Sequence, residues 1–161
     1  PMIYLPHSLG LIIAACTKCA STSLRNEYQT GNLKPLTNVG VIELKKAGWQ
    51  VVGLIRDPID RFESAYNFFQ YGQQRRFPNG KSYESIDHFT ASILNGDTDE
   101  HWLPQAEQLL LCNRYVDLET FPLAHRVNVV SHKETAVSRA RELKDYYIAD
   151  AELRGRSWQE Q

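Results

Sequence analysis

Apolar and polar positions along the chain fall into a pattern of strands separated by helices. Leu9–Ala15 is a continuous, partly β-branched apolar run, as in a strand buried on both faces. Thr22–Gln29 reads as a short helix closed by Gly31. Thr37–Ala47 carries Val39, Ile42 and Leu44 near helical spacing, with Gly48 placed for a left-handed cap. "WQVVGLI" (Trp49–Ile55) predicts a second buried strand that stops at Arg-Asp-Pro. There Asp57 can cap a helix and Pro58 can take its first position. That helix is expected to run to about Gln74, with Ile59, Phe62, Ala65, Tyr66 and Phe69 along one stripe. Tyr83–Leu94 predicts another helix, stopped by Asn95-Gly96. "RYVDLETF" and "RVNVV" read as short strands, and Glu134–Leu153 as a helix.

This alternation predicts an α/β fold built on a parallel sheet. A length of 161 residues fits one domain, 1–161, with a real core. Apolar residues make up 42% and charged residues 23%, the composition of an ordinary globular chain. Lys plus Arg number 18 against 19 Asp plus Glu. No basic excess points to nucleic acid, yet the balance leaves room for one small basic pocket. No apolar run approaches the roughly 18 residues of a membrane span. The stretch "PMIYLPHSLGLIIAAC" lacks the basic start and cleavage site of a signal peptide. Three cysteines make no disulfide framework, so a reducing, cytoplasmic setting is expected.

The junction after the first strand, Cys16–Ser23 or "CTKCASTS", carries the first chemistry. Cys-x-x-Cys between strand and helix is the place of a thioredoxin-type dithiol, where a helix N-terminus lowers a thiol pKa. A zinc site would need two more ligands, and Cys112 is the only other cysteine. The third reading is an anion cradle. Backbone N–H groups and the helix dipole favour negative charge there. Lys18, Ser21, Thr22 and Ser23 add a cation and three hydroxyls. The lysine precedes the small residues and both glycines are missing, so this is no ATP-hydrolysing P-loop. A plain capped helix with a solvated Lys18 weighs about as much on this loop alone.

A second stretch favours the cradle. Arg56 ends the second strand and Ser64 lies two turns into the next helix. Open parallel sheets bind ligands outside the carboxyl ends of their strands, where Arg56 can fork onto a phosphate and Ser64 can donate. Asp57 and Arg61, four apart, read as an ordinary helix-surface pair.

Together these stretches resemble the sulfotransferases that use 3′-phosphoadenosine 5′-phosphosulfate (PAPS). "TKCASTSL" is similar to their 5′-phosphosulfate loop, usually Pro-Lys-x-Gly/Ala-Ser/Thr-Thr. "RDPIDRFESAY" is similar to their 3′-phosphate motif, Arg-Asp-Pro-x-x-Arg-x-x-Ser-x-Tyr. "DEHWLPQ" (Asp99–Gln105) resembles a segment of the Golgi carbohydrate sulfotransferases, and "YVDLETF", "RVNVVS" and "YYIADAEL" follow in that group's order. Thr17 replaces the usual proline, Ala20 takes the small-residue position, and the chain is shorter than typical members.

The resemblance implies a P-loop-like three-layer sandwich, with a central parallel sheet flanked by helices. It implies transfer of a sulfuryl group from PAPS to an acceptor hydroxyl, on a carbohydrate or a small hydroxylated molecule, without a metal. Lys18 would serve the bridging oxygen and 5′-phosphate. Cys19, Ala20, Ser21, Thr22 and Ser23 would line that phosphate, and Arg56 and Ser64 would hold the 3′-phosphate. For the base that takes the acceptor proton the candidates are His101, ranked first, and Glu43. A histidine beside Trp102 that merely satisfies a loop carbonyl is as ordinary a reading for His101. Two alternatives stand beside the enzyme: a non-catalytic module binding PAPS or its product PAP, and a redox protein using Cys16 and Cys19.

Overall fold

A computed structural model of the chain describes residues 2–8, 10–28, 35–72, 76–121 and 140–157. Among the described residues four strands form one sheet in the order β1 (Ile3–Ser8), β2 (Leu11–Ala15), β3 (Gln50–Ile55), β4 (Arg114–Asp117). β2, β3 and β4 are parallel, with Ala15 opposite Leu54 and Ile55 opposite Asp117. The expected strands Leu9–Ala15 and Trp49–Ile55 are therefore neighbours whose carboxyl ends lie side by side. β1, which the pattern reading did not contain, runs antiparallel to β2 along the edge. Its Pro6 has no N–H to give a ladder, which an edge strand tolerates, and the register shifts between Pro6 and Ser8. The fold is mixed α/β with a mostly parallel sheet.

Side chains alternate across that sheet with the period of two. Ile12, Ala14, Val51 and Ile55 pack with Val41 of α2 (Asn38–Lys46) and Leu153 of α7 (Ile148–Ser157). Ile3, Leu5, Ile13, Ala15 and Leu54 pack with Leu24 of α1 (Ser21–Tyr28). Gly53 has no room for a side chain: a Cβ there would stand 2.9 Å from Cys112 Sγ and 3.2 Å from the Tyr115 ring.

The remaining core is aromatic. Phe62, Tyr66 and Phe69 of α3 (Pro58–Tyr71) meet Phe89 of α4 (Ile86–Leu94), Trp102 and Tyr147. Phe62 stacks on Phe89 at 5.1 Å between centroids, and Trp102 meets Phe89 edge-on at 5.0 Å. Each such pair adds about 0.5–1.5 kcal/mol beyond its buried area.

The helix starts follow the sequence closely. Asp57 Oδ1 accepts from the N–H groups of Ile59 and Asp60, with Pro58 first in α3, and Thr37 caps α2. α3 ends at Tyr71, short of Gln74, and α4 begins at Ile86 behind its cap Ser85. The helix expected over Glu134–Leu153 is, in its described part, two: α6 (Ala140–Tyr146) and α7. They meet at Tyr147, whose hydroxyl donates to the Trp102 carbonyl. Gly31, "RVNVV" and residues 134–139 lie outside the described residues. No helix among the described residues is long and apolar enough to cross a membrane.

Candidate functional site

Because β2 and β3 are parallel neighbours, the segments leaving their carboxyl ends emerge together, where open parallel sheets bind ligands. Cys16–Ala20 leaves β2, and Arg56 leaves β3. Lys18 has φ 65° and Ala20 φ 58°, left-handed conformations that cost a non-glycine residue about 1–2 kcal/mol each. The surroundings hold them there. Cys19 N–H donates to the Cys16 carbonyl at 3.1 Å, and Thr17 Oγ1 donates to the Glu100 carbonyl at 2.7 Å. Thr17 is thus the residue that ties the loop to the 99–103 turn. Leu24 N–H bonds the Ala20 carbonyl at 2.9 Å, so α1 starts directly from the loop and turns the positive end of its dipole toward it.

Three cations converge on this loop. Lys18 Nζ lies 4.0 Å above the centre of the Phe68 ring. Burial, then the positive charges of Arg56 and Arg61, pull its pKa down to about 8. Among the described residues no carboxylate pairs with Lys18 or Arg56. Positive charge held in a half-buried group with no carboxylate partner among the described residues is what an anion would relieve.

Arg61 is not the surface partner of Asp57 that its spacing suggests. It is wholly buried and donates through Nε to the Thr17 carbonyl (3.0 Å), through Nη1 to Leu103 (2.7 Å) and through Nη2 to Glu100 (3.0 Å). Asp57 pairs with Arg154 of α7 at 2.8 Å, and Arg154 Nε also donates to Asp117 at 2.7 Å. Arg61, Ser64 and Phe68 fall at i, i+3 and i+7 of α3, one stripe of the helix. That stripe places Ser64, half-buried, between the arginine and the ring that carries Lys18.

Gln105, at the start of the short helix α5 (Gln105–Gln108), was missed by the sequence reading although it closes the quoted "DEHWLPQ". Its side chain accepts the Arg56 N–H at 2.9 Å and donates to the Arg56 carbonyl at 2.8 Å. Cys19 Sγ donates to the same Gln105 oxygen at 3.1 Å. Asp150 of α7 accepts from Gln105 N–H, Ala106 N–H and Gln105 Nε2. Both loops are therefore fastened to one amide.

The two base candidates are placed differently. His101 takes a turn in which its N–H donates to Asp99 Oδ1 at 3.0 Å and its ring Nδ1 meets the same oxygen. The ring stands edge-on to Phe69 at 4.8 Å, and Phe69 adjoins the Phe68 that carries Lys18. The reading of His101 as a histidine bonded to a loop carbonyl gives way to a carboxylate partner. Glu43 is exposed on the last turn of α2, pairs with Lys46 at 2.9 Å, and leads toward the amino end of β3. The structure does not bring it to the loop.

Thr22 is exposed and Ser23 buried in the first turn of α1, while the Ser21 side chain lies outside what is described. Cys16 and Cys19 are wholly buried, which leaves neither sulfur open to a protein disulfide, the target of a thioredoxin-type dithiol. Among the described residues no group of three His, Cys, Asp or Glu could hold a metal. Comparisons with family models, with curated proteins and with solved structures gave no match to this chain.

Proposed function

We propose that this chain is a PAPS-dependent sulfotransferase, with a P-loop-like three-layer architecture and an acceptor hydroxyl on a carbohydrate or small molecule. The observation that carries the reading is the convergence of Lys18, Arg56 and Arg61 at the carboxyl ends of two parallel strands, with no carboxylate among the described residues on Lys18 or Arg56. Two separate cations suit a nucleotide with two anionic ends better than a single phosphate. The order of "TKCASTSL" and "RDPIDRFESAY" supplies the rest.

In this mechanism the first-turn N–H groups of α1, from Ser21 to Ser23, and the hydroxyls of the loop hold the 5′-phosphosulfate. Arg56 and Ser64 hold the 3′-phosphate and separate this donor from plain adenine nucleotides. Lys18 leaves the Phe68 ring for the bridging oxygen, where negative charge grows as the sulfur–oxygen bond breaks. Catalysis is mainly positioning and electrostatic stabilisation, as in phosphoryl transfer. His101 takes the acceptor proton at Nε2, and Asp99 fixes the tautomer by accepting Nδ1–H, a positioning role.

The test is incubation of purified protein with sulfur-labelled PAPS and a panel of glycans, phenols and amines, beside calorimetry with PAP. Label moved to a hydroxyl acceptor supports the reading. Tight PAP binding without transfer to any acceptor would leave a non-catalytic binding module, and absence of PAP binding would overturn both.

A further inference from the structure

The mechanism leaves the buried Cys16–Cys19 pair without work. We propose that these two thiols are an oxidative modification site, closed to a disulfide by hydrogen peroxide, and that closure weakens anion binding at the loop. This regulation rests on the donor-site reading above.

The geometry is that of a pair one step from a bond. Cys16 Sγ and Cys19 Sγ stand 3.2 Å apart, and a disulfide needs about 2.05 Å. The two residues bracket Thr17 and Lys18, so drawing their sulfurs together acts on the segment that carries Lys18 in its left-handed conformation. Cys19 also donates to Gln105 Oε1, the atom that accepts the Arg56 N–H. A disulfide has no S–H, so oxidation deletes the bond linking the β2 loop to the amide that holds Arg56. One covalent change thereby reaches both cations assigned to the donor.

The two sulfurs are unequal in the way a peroxide-reactive pair requires. The hydrogen bond between Cys16 and Cys19, aided by the Arg61 guanidinium and opposed by burial, brings the Cys16 thiol down to about 7. Burial first, and then Cys16 itself, push the Cys19 thiol up. Cys16 is the attacking thiolate and Cys19 the resolving thiol. Cys16–S⁻ displaces hydroxide from hydrogen peroxide to give Cys16–SOH, and the hydroxide takes a proton to become water. Cys19 sulfur then attacks the sulfenic sulfur, the S–S bond forms, and the second water leaves with the Cys19 proton. Two thiols and one hydrogen peroxide give one disulfide and two waters. Burial of both sulfurs limits the oxidant to one about the size of water. Cys112 stands apart, its thiol pushed up to about 12 by burial.

The test uses the whole chain, reduced, then treated with a small excess of hydrogen peroxide. Peptide mass mapping reads the Cys16–Cys19 link, and calorimetry reads PAP and inorganic pyrophosphate before and after treatment. The expected result is a Cys16–Cys19 disulfide, reversed by dithiothreitol, with affinity for both ligands at least fivefold weaker in the oxidised form. A Cys16→Ser variant should show no such loss on treatment, and the wild-type comparison stands even if that variant fails to fold. Failure to form the disulfide, or equal affinities in the two forms, overturns the proposal. Reduced protein that binds pyrophosphate but not PAP defeats the sulfotransferase reading alone, and the switch is then decided by the pyrophosphate arm. Reduced protein that binds neither defeats both.

Discussion

Gln105 holds Arg56 from both sides, accepting its N–H at 2.9 Å and donating to its carbonyl at 2.8 Å. The Ile55 carbonyl accepts from Leu118 N–H, and the amide side chain takes both polar groups of the next residue. Gln105→Ala should strand two peptide groups, each costing about 1–3 kcal/mol when left unpaired. The expected outcome is a loss of about 2–4 kcal/mol in urea unfolding, with weaker PAP binding in the folded fraction. An unchanged urea midpoint would show that water replaces the amide and that the clamp carries little.

Arg61 and Arg56 should separate fold from ligand. Arg61→Lys keeps the charge but cannot reach three carbonyls, so it should cost about 2 kcal/mol or more in stability. Arg56→Ala should leave the urea midpoint nearly unmoved. Its PAP affinity should fall about ten- to a hundredfold, the worth of a charged hydrogen bond of roughly 1.5–3 kcal/mol, while 5′-AMP binding changes little. Equal losses for the two nucleotides would assign Arg56 a structural role.

Lys18 should give two opposite pH slopes. Its folded pKa, about 8, lies below the ordinary 10.5, so between these values the unfolded chain binds more protons than the folded one. Stability of the ligand-free protein, relative to Lys18→Met, should therefore rise with pH across that window. PAP affinity should do the reverse, falling above about pH 8 as the ammonium is lost. Parallel slopes for wild type and Lys18→Met in both measurements would remove the charged lysine from the site.

Asp99→Asn should disturb chemistry more than donor binding. The amide can accept from Nδ1–H or donate to a bare Nδ1, so one tautomer is no longer imposed, and the turnover rate should drop roughly tenfold or more, within the range of general-base effects. The KM for PAPS should hold. Nitrogen-15 spectra of His101 should show the Nδ1–H tautomer in wild type and a mixture in the variant, a change that a packing role would not produce.

Much of this arrangement is legible in the chain. Leu9–Ala15 and Trp49–Ile55 announce themselves because strands buried on both faces are continuously apolar, and Asp57-Pro58 marks a helix start by local chemistry alone. β1 is hidden because Pro6 interrupts "IYLPHS", and only an edge position makes that harmless. The break at Tyr147 is hidden because the helical stripe continues through it, while the tertiary bond to Trp102 falls there. Arg61 is the instructive case: an Asp–Arg spacing of four looks like a surface pair, and nothing local says that three carbonyls wait for the guanidinium. Gln105 and Asp150 act through partners 44 to 86 residues away, beyond the reach of any window.

The fastening of both loops by α7 sets an order of events during synthesis. Asp150 steadies Gln105, and Arg154 reaches back 97 residues to Asp57 and 37 to Asp117. A ribosome that has released residues 1–120 has already delivered every residue assigned to the donor, yet the latch that aligns them is still unmade. Nascent chains should therefore carry the motif without the affinity, and nucleotide can act as a folding ligand only after residue 154 has emerged.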